Sequence, residues 1–298
     1  MTFWTLLPAL AFLVAVLGLS GLIIGALRGE FNLKDPVWGV FIVALIIRVP
    51  LMIVLNRTLP DDWLDVDWMM YESVGRALAE TGNIQPLMGE GLGALAYGLL
   101  NAAVFWMVGF EPLVVRAVNT ILGALACALV YLFLERLTEQ IRSARVGAYA
   151  VVLWPTFVAW STTNSKETVM ALVAIAIFYC ALTLSRRFRP SVAAMMAVLA
   201  LSACFLRVYL VLLVLPLALT YIIILWTVRT HTLRVSIPLM TTWLIAAAIL
   251  LKIAAEQTVG LYNLGADGLD ALNAFRSRVA DGGAQMTVEP FESVYDLL

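Results

Sequence analysis

The sequence predicts an all-α polytopic membrane protein, and its composition and the length of its apolar runs are the observations that predict it. Of its 298 residues, 62% are hydrophobic and only 13% are charged, whereas soluble domains carry about 25% charged residues. Long apolar runs recur along most of the chain, several of them near the roughly 20 residues that cross a bilayer. A water-soluble fold is therefore excluded.

Nine apolar runs supply the candidate membrane helices. They cover residues 3–27, 37–56, 93–109, 112–134, 146–163, 168–185, 190–206, 208–228 and 235–254. The stretch 190–228 is too long for one span at about 1.5 Å per residue, so the polar residues Arg207 and Tyr209 predict a turn within it. Prolines predict three helix starts, at Pro36, Pro112 and Pro190.

The distribution of arginine predicts the orientation of the helices. Three short loops are rich in arginine and are expected in the cytoplasm, where positively charged loops remain: 135–145, 185–191 and 229–234. The loop 57–92 has seven acidic residues against two arginines and is expected outside. An odd number of crossings must separate 57–92 from 135–145. The short run 93–109, with Asn101 in its middle, is therefore predicted to be a helix that lies in the outer interface or dips partly into the membrane.

The resulting model has about eight crossings, with both termini outside. Residues 1–254 are expected to form the transmembrane domain, whose outer loop 57–111 carries amphipathic helices. Residues 255–298 are expected to be an extracytoplasmic tail or the start of a further region.

The acidic outer loop contains an amphipathic segment. Apolar residues recur at three- and four-residue spacing in "DWMMYESVGRALAET", which predicts a helix over 67–81 on the membrane surface. Asp65 and Asp67 would lie at its N-terminal end, where carboxylates interact favourably with the helix dipole. The residues alone leave two alternatives for these aspartates, solvated helix caps or catalytic groups.

Lys166 is one of only three lysines, and it lies in a short polar break, "TTNSK", between two apolar runs. On the predicted topology this break faces outward, as do Arg116 and Arg207. A contact with a lipid phosphate and a pairing with Glu167 are the alternatives for Lys166. Arg48 lies within an apolar run and requires a buried partner, functional or structural.

The segment "LDVDWMMYESVGRALAETGNI" resembles the first extracytoplasmic loop of GT-C superfamily glycosyltransferases, such as bacterial aminoarabinose transferases and relatives of protein mannosyltransferases. That loop places an aspartate four residues before a tyrosine, as Asp67 and Tyr71 are placed here, and its helix ends at a glycine, as at Gly82. The resemblance extends over roughly 40–210. Many members carry a second carboxylate directly after the aspartate, where this chain has Trp68.

This resemblance implies a membrane glycosyltransferase that transfers a sugar from a polyprenyl-phosphate-linked donor to an acceptor, on the outer side of the bacterial inner membrane. Cations fixed beside the phosphate would stabilise the leaving group, and a carboxylate would act as the base. The implied site comprises the catalytic Asp67 and Asp65, the donor-phosphate ligands Arg116, Lys166 and Arg207, and the supporting Tyr71, Glu167 and Tyr209.

The residues predict no metal site, because the three cysteines lie within apolar runs and the chain has one histidine. A divalent cation is the one cofactor that the resemblance leaves open. The expected partners are the sugar donor, membrane lipids and a further membrane protein, but not nucleic acid. The alternative function is a non-catalytic GT-C-like subunit that is structural or binds lipid. A transporter is disfavoured because the chain shows no internal repeat.

Overall fold

The computed structural model describes residues 3–29, 32–58, 66–82, 92–187 and 189–207, with Val214, Ala218, Thr220 and Tyr221. Within these ranges the chain forms nine helices and no strand, which confirms the all-α prediction. The helices are α1 (Phe3–Arg28), α2 (Pro36–Thr58), α3 (Val66–Thr81), α4 (Leu92–Val108), α5 (Pro112–Thr138), α6 (Ile141–Val152), α7 (Pro155–Thr162), α8 (Lys166–Arg186) and α9 (Pro190–Leu206).

Four of the described helices, α1, α2, α5 and α8, are long and apolar enough to cross a membrane. The prediction of several membrane-spanning helices is therefore confirmed by their length and composition. Two other apolar helices, α4 and α9, are shorter, at 17 residues each. The crossings predicted over 208–228 and 235–254, and the predicted tail 255–298, lie outside the described residues.

The apolar run 146–163 does not form one continuous helix, because the chain divides there into α6 and α7. Trp154 separates the two helices with an extended backbone, and α7 begins at Pro155. Proline disfavours helical geometry in the residue before it and lacks the N–H that would continue the helix. With 12 and 8 residues, each helix is shorter than the roughly 20 residues that a span requires.

Helix α5 lies at the centre of the bundle, in contact with α1, α2, α6, α7 and α8. One face of α2 packs into this core through Val37, Phe41 and Ala44. The opposite face of α2 is apolar yet exposed, as expected of a helix surface in contact with lipid tails; its residues are Ile42, Ile46, Val49 and Ile53.

Arg48 lies on the inner face of α2 and is completely buried. Its Nε donates a hydrogen bond to Ser161 Oγ at 2.8 Å, and one Nη donates to the carbonyl of Val152 at 3.2 Å. The guanidinium carbon lies 5.3 Å from the centroid of the Phe157 ring. Val152 is the last residue of α6, where helix carbonyls lose their intrahelical partners. Arg48 therefore contacts both α6 and α7 and stabilises the junction between them.

Ion pairs join the helices at one end of the bundle. Arg28 at the end of α1 forms ion pairs with Asp35 and with Glu135, the latter at 2.6 Å. Arg186 at the end of α8 donates to Glu139 at 3.1 Å. Arg186 and Glu139 therefore bring the end of α8 and the end of α5 to the same end of the bundle. We call this the arginine end, after Arg28, Arg136 and Arg186.

Candidate functional site

At the opposite end of the bundle, α3 and α4 form a helical hairpin. Helix α3 spans Val66–Thr81, which confirms the predicted helix over 67–81. Gly82 follows it with a φ of +63°, which glycine adopts readily. Glycines also allow the two helices to touch, because a Cβ added to Gly98 would lie 2.3 Å from a Val74 methyl group. We call this the α3 end; α2 and α9 end there, and α5 and α8 begin there.

Arg116, in the second turn of α5, connects three helices at the α3 end. One Nη donates to Asn56 Oδ1 at 2.5 Å, and the other lies 3.5 Å from Glu72 Oε1. The guanidinium carbon lies 4.5 Å from the centroid of the Trp68 ring. Trp68 and Glu72 are four residues apart and so share one face of α3. Arg116 therefore holds that face of α3 against α2 and α5.

Lys166, the first residue of α8, is only 8% exposed. Its Nζ lies 5.1 Å from the centroid of the buried Tyr71 ring, a distance at which the ring face attracts a cation. Tyr97 on α4 meets Tyr71 edge to face, with 4.9 Å between ring centroids. Burial raises the pKa of the Tyr97 phenol, and the charges of Glu167 and Glu72 raise it further. The phenol therefore stays protonated.

Arg207 directly follows α9, so this helix ends where the sequence predicts a turn; residues 208–213, which would complete the turn, lie outside the described residues. One Nη of Arg207 lies 3.2 Å from Glu167 Oε1. The other carboxylate oxygen of Glu167 accepts a hydrogen bond from Ser165 Oγ at 2.5 Å. The carboxylate that the sequence offers as a partner for Lys166 is thus bound to Arg207 and Ser165.

Asn119 holds the turn between α7 and α8 in place. The side-chain nitrogen of this α5 residue lies 2.7 Å from the carbonyl oxygen of Thr163, 3.0 Å from that of Ser165 and 3.2 Å from that of Trp160. These carbonyls belong to the end of α7 and to the polar break, where no helix supplies donors. Asn119 therefore fixes the backbone that carries Lys166 into the site.

The structure brings the three predicted phosphate ligands to one end of the bundle, each with its own partner: Arg116, Lys166 and Arg207. Asp67 contributes its helical backbone to the first turn of α3, next to Trp68. Asp65 and Tyr209 lie outside the described residues. In the described ranges, no group of three or more histidine, cysteine or acidic side chains is arranged to hold a metal ion.

Sequence reasoning missed the roles of Glu72, Trp68, Tyr97 and Asn119 at this site. Two signals were present. Trp68 and Glu72 have the four-residue spacing that places both on one helix face. Asn119 is a polar residue within an apolar run, and such residues bond to polar groups on neighbouring helices.

Comparison with models of protein families, with curated proteins and with solved structures finds no match for this chain. Its function is inferred from the arrangement of side chains at the α3 end and from the resemblance of the sequence.

Proposed function

We propose that the protein is an integral membrane glycosyltransferase of the GT-C type. It transfers a sugar from a polyprenyl-phosphate-linked donor to an acceptor on the extracytoplasmic side of the bacterial inner membrane. One observation carries this proposal: Arg116, Lys166 and Arg207, from three separate helix ends, lie at the same end of an apolar bundle, where the first two contact the amphipathic helix α3.

The three cations have the chemistry that a lipid phosphate requires. Negative charge develops on the donor phosphate as the sugar leaves, and fixed cations directed at that charge lower the barrier. Arg116 offers a planar fork that binds two phosphate oxygens at once, whereas Lys166 supplies a compact point charge. Both lie near the ends of apolar helices. A phosphate whose polyprenyl tail enters the bilayer would lie at that depth.

Asp67 is the proposed base, with Asp65 as the second candidate. A carboxylate in the first turn of α3 would remove the proton of the acceptor hydroxyl as the sugar transfers. Position in the first turn favours the ionised form, because the helix dipole stabilises negative charge there. Both aspartates precede the face of α3 that carries Trp68 and Glu72, which contact Arg116.

A second candidate function is a non-catalytic GT-C-like subunit, structural or lipid-binding. The packing of the α3 end favours it, because Arg116 is already engaged by Asn56, Glu72 and Trp68. Such contacts would suit a scaffold whose cations serve only to fasten α3.

Transfer of radiolabelled sugar separates the two functions. Membranes containing the protein would be supplied with a panel of radiolabelled polyprenyl phosphate sugars, and label in membrane acceptors would be measured. Wild-type membranes should transfer label from at least one donor. Asp67→Asn should reduce the rate by about 10²–10⁴-fold, the usual contribution of a general base, with unchanged protein abundance and thermal unfolding.

Asp65→Asn provides the matched comparison on the same segment. If Asp65→Asn loses transfer and Asp67→Asn keeps it, the base has been assigned to the wrong aspartate. If wild-type membranes transfer no label from any donor, the scaffold function is favoured.

A further inference from the structure

One face of α3 is fastened by two of the cations that the proposed function assigns to the donor phosphate. Trp68 and Glu72 contact Arg116, and Tyr71 lies beneath Lys166. All three residues of α3 fall within a single helical turn and a half. Side chains of α3 therefore already contact Arg116 and Lys166, two of the cations that a donor phosphate would need.

Glu72 is the anionic member of this face. Its side chain is 10% exposed, and that of Arg116 is 14% exposed. A carboxylate is buried favourably only beside a cation or hydrogen-bond donors. Carboxylate and phosphate oxygens suit the same guanidinium fork. Glu72 therefore holds the position on Arg116 that a phosphate would take.

We infer that Glu72 is a built-in competitor of the donor phosphate, so that donor binding at Arg116 displaces Glu72 and loosens α3. This inference rests on the proposed function and adds a regulatory step to it. Two anions beside one partly buried cation repel each other strongly, because the surroundings screen charge less than water does. The phosphate and Glu72 therefore exclude one another from Arg116.

Displacement of Glu72 has a consequence for the catalytic helix. Asp67, the proposed base, lies on α3 one residue before Trp68, and the indole of Trp68 rests on the same guanidinium as Glu72. When a phosphate binds Arg116, the contacts of Arg116 with Trp68 and Glu72, which hold the first half of α3, change together. Donor binding would then set the position of the base, so the acceptor reacts only after the donor is in place.

Binding of a short polyprenyl phosphate tests this inference. The purified full-length protein in detergent micelles would be titrated with farnesyl phosphate, with farnesol and inorganic phosphate as separate controls for tail and headgroup. Glu72→Gln should tighten farnesyl phosphate binding about tenfold, within the range of typical coupling between two ligands. Farnesol affinity should not change.

Glu80→Gln is the matched control. Glu80 lies on the same helix, but it is exposed and pairs with Arg76 instead of a site cation. It should leave farnesyl phosphate affinity at the wild-type value. Glu72→Asp gives a second variant at the same position, because its shorter side chain draws the carboxylate away from Arg116; it too should tighten binding.

The outcomes separate the inference from the function on which it rests. If wild type binds farnesyl phosphate no better than farnesol, the donor-phosphate proposal itself fails. If wild type binds the phosphate but folded Glu72→Gln binds it equally or more weakly, the competitor role is wrong. Should Glu72→Gln fail to fold, Glu72→Asp decides: unchanged or weaker binding overturns the inference, and tighter binding supports it.

Discussion

At the arginine end, Arg28 lies between the carboxylates Asp35 and Glu135, whereas at the α3 end Arg116 lies between a carboxylate, an amide and an indole ring. The first arrangement joins helices of the spanning bundle to one another. The second joins that bundle to α3, which is not among the helices long and apolar enough to span. Charge at the arginine end therefore joins the long apolar helices to one another, whereas charge at the α3 end joins α3 to them.

Lys166→Ala should give the largest effect at the α3 end. Loss of a charge-assisted contact to phosphate is expected to weaken farnesyl phosphate binding by about 10- to 100-fold. The midpoint of thermal unfolding should change far less, because the ammonium rests on the ring of Tyr71, which belongs to α3 and not to one of the four long apolar helices. Binding titration and thermal unfolding of the same preparation measure both quantities. If the free energy of unfolding falls by as much as the free energy of farnesyl phosphate binding, Lys166 has a structural role.

Glu167→Gln is the control for Lys166→Ala. The Glu167 carboxylate binds Arg207 and Ser165, so its neutralisation should not reproduce the loss of phosphate binding. If it does reproduce that loss, the two neighbouring charges act as one structural pair.

Asn119→Ala should lower the free energy of unfolding by about 1–3 kcal/mol, because it leaves buried carbonyl groups of the α7–α8 turn without a donor. Asn164→Ala is the matched control in that turn. Asn164 is equally buried, but its side-chain amide makes no hydrogen bond with any residue that the structure describes. Denaturant unfolding in detergent should show a small change for Asn164→Ala, and equal losses in both variants would contradict the role of Asn119.

Arg28→Gln tests the other half of the comparison. It should lower the free energy of unfolding by about 1 kcal/mol, since ion pairs that retain some exposure contribute modestly; the Arg28 side chain is 23% exposed. Farnesyl phosphate affinity should stay at the wild-type value, because Arg28 lies at the far end of the bundle. A loss of phosphate binding comparable with that of Lys166→Ala would abolish the distinction between the two ends.

Tyr97→Phe should have the smallest effect. The Tyr97 hydroxyl is buried and makes no hydrogen bond within the described ranges, so its removal should not lower the free energy of unfolding at neutral pH and should raise it by about 1 kcal/mol at most. Because its folded pKa is raised, wild type should lose stability above about pH 10, where the unfolded phenol ionises first. Tyr97→Phe should lack this loss of stability at high pH. An equal pH dependence of unfolding in both proteins would contradict a raised pKa for Tyr97.

The parts of this fold that follow from local chemistry were predictable from the sequence. Proline starts α2, α5 and α9, the spacing of apolar residues predicts α3, and Gly82 ends it. The break before α7 was missed because hydropathy alone continues through it, although Pro155 was its visible signal. A run of apolar residues indicates that a segment is buried in the protein or in lipid. It does not indicate that the segment forms one continuous helix.

The pairing of charges was less predictable than the helices. Sequence analysis brought Arg116, Lys166 and Arg207 to one side, but it did not assign Glu72 to Arg116 or Glu167 to Arg207. These partners lie 40 or more residues apart along the chain, and only the packing of separate helix ends brings them together. Local patterns indicate which face a charge occupies, whereas its partner depends on tertiary structure.

The burial of Arg48 has a consequence for biosynthesis. Its hydrogen-bond partners Val152 and Ser161 follow it by 104 and 113 residues. At about 5–20 residues per second, α2 leaves the ribosome roughly ten seconds before those partners exist. An arginine at the centre of an inserting helix opposes membrane entry by about 2.5–3.5 kcal/mol. The favourable insertion of the other, strongly apolar residues of α2 must offset this cost before α6 and α7 are made. The chain must therefore insert a helix whose arginine gains these two hydrogen bonds only when α6 and α7 arrive.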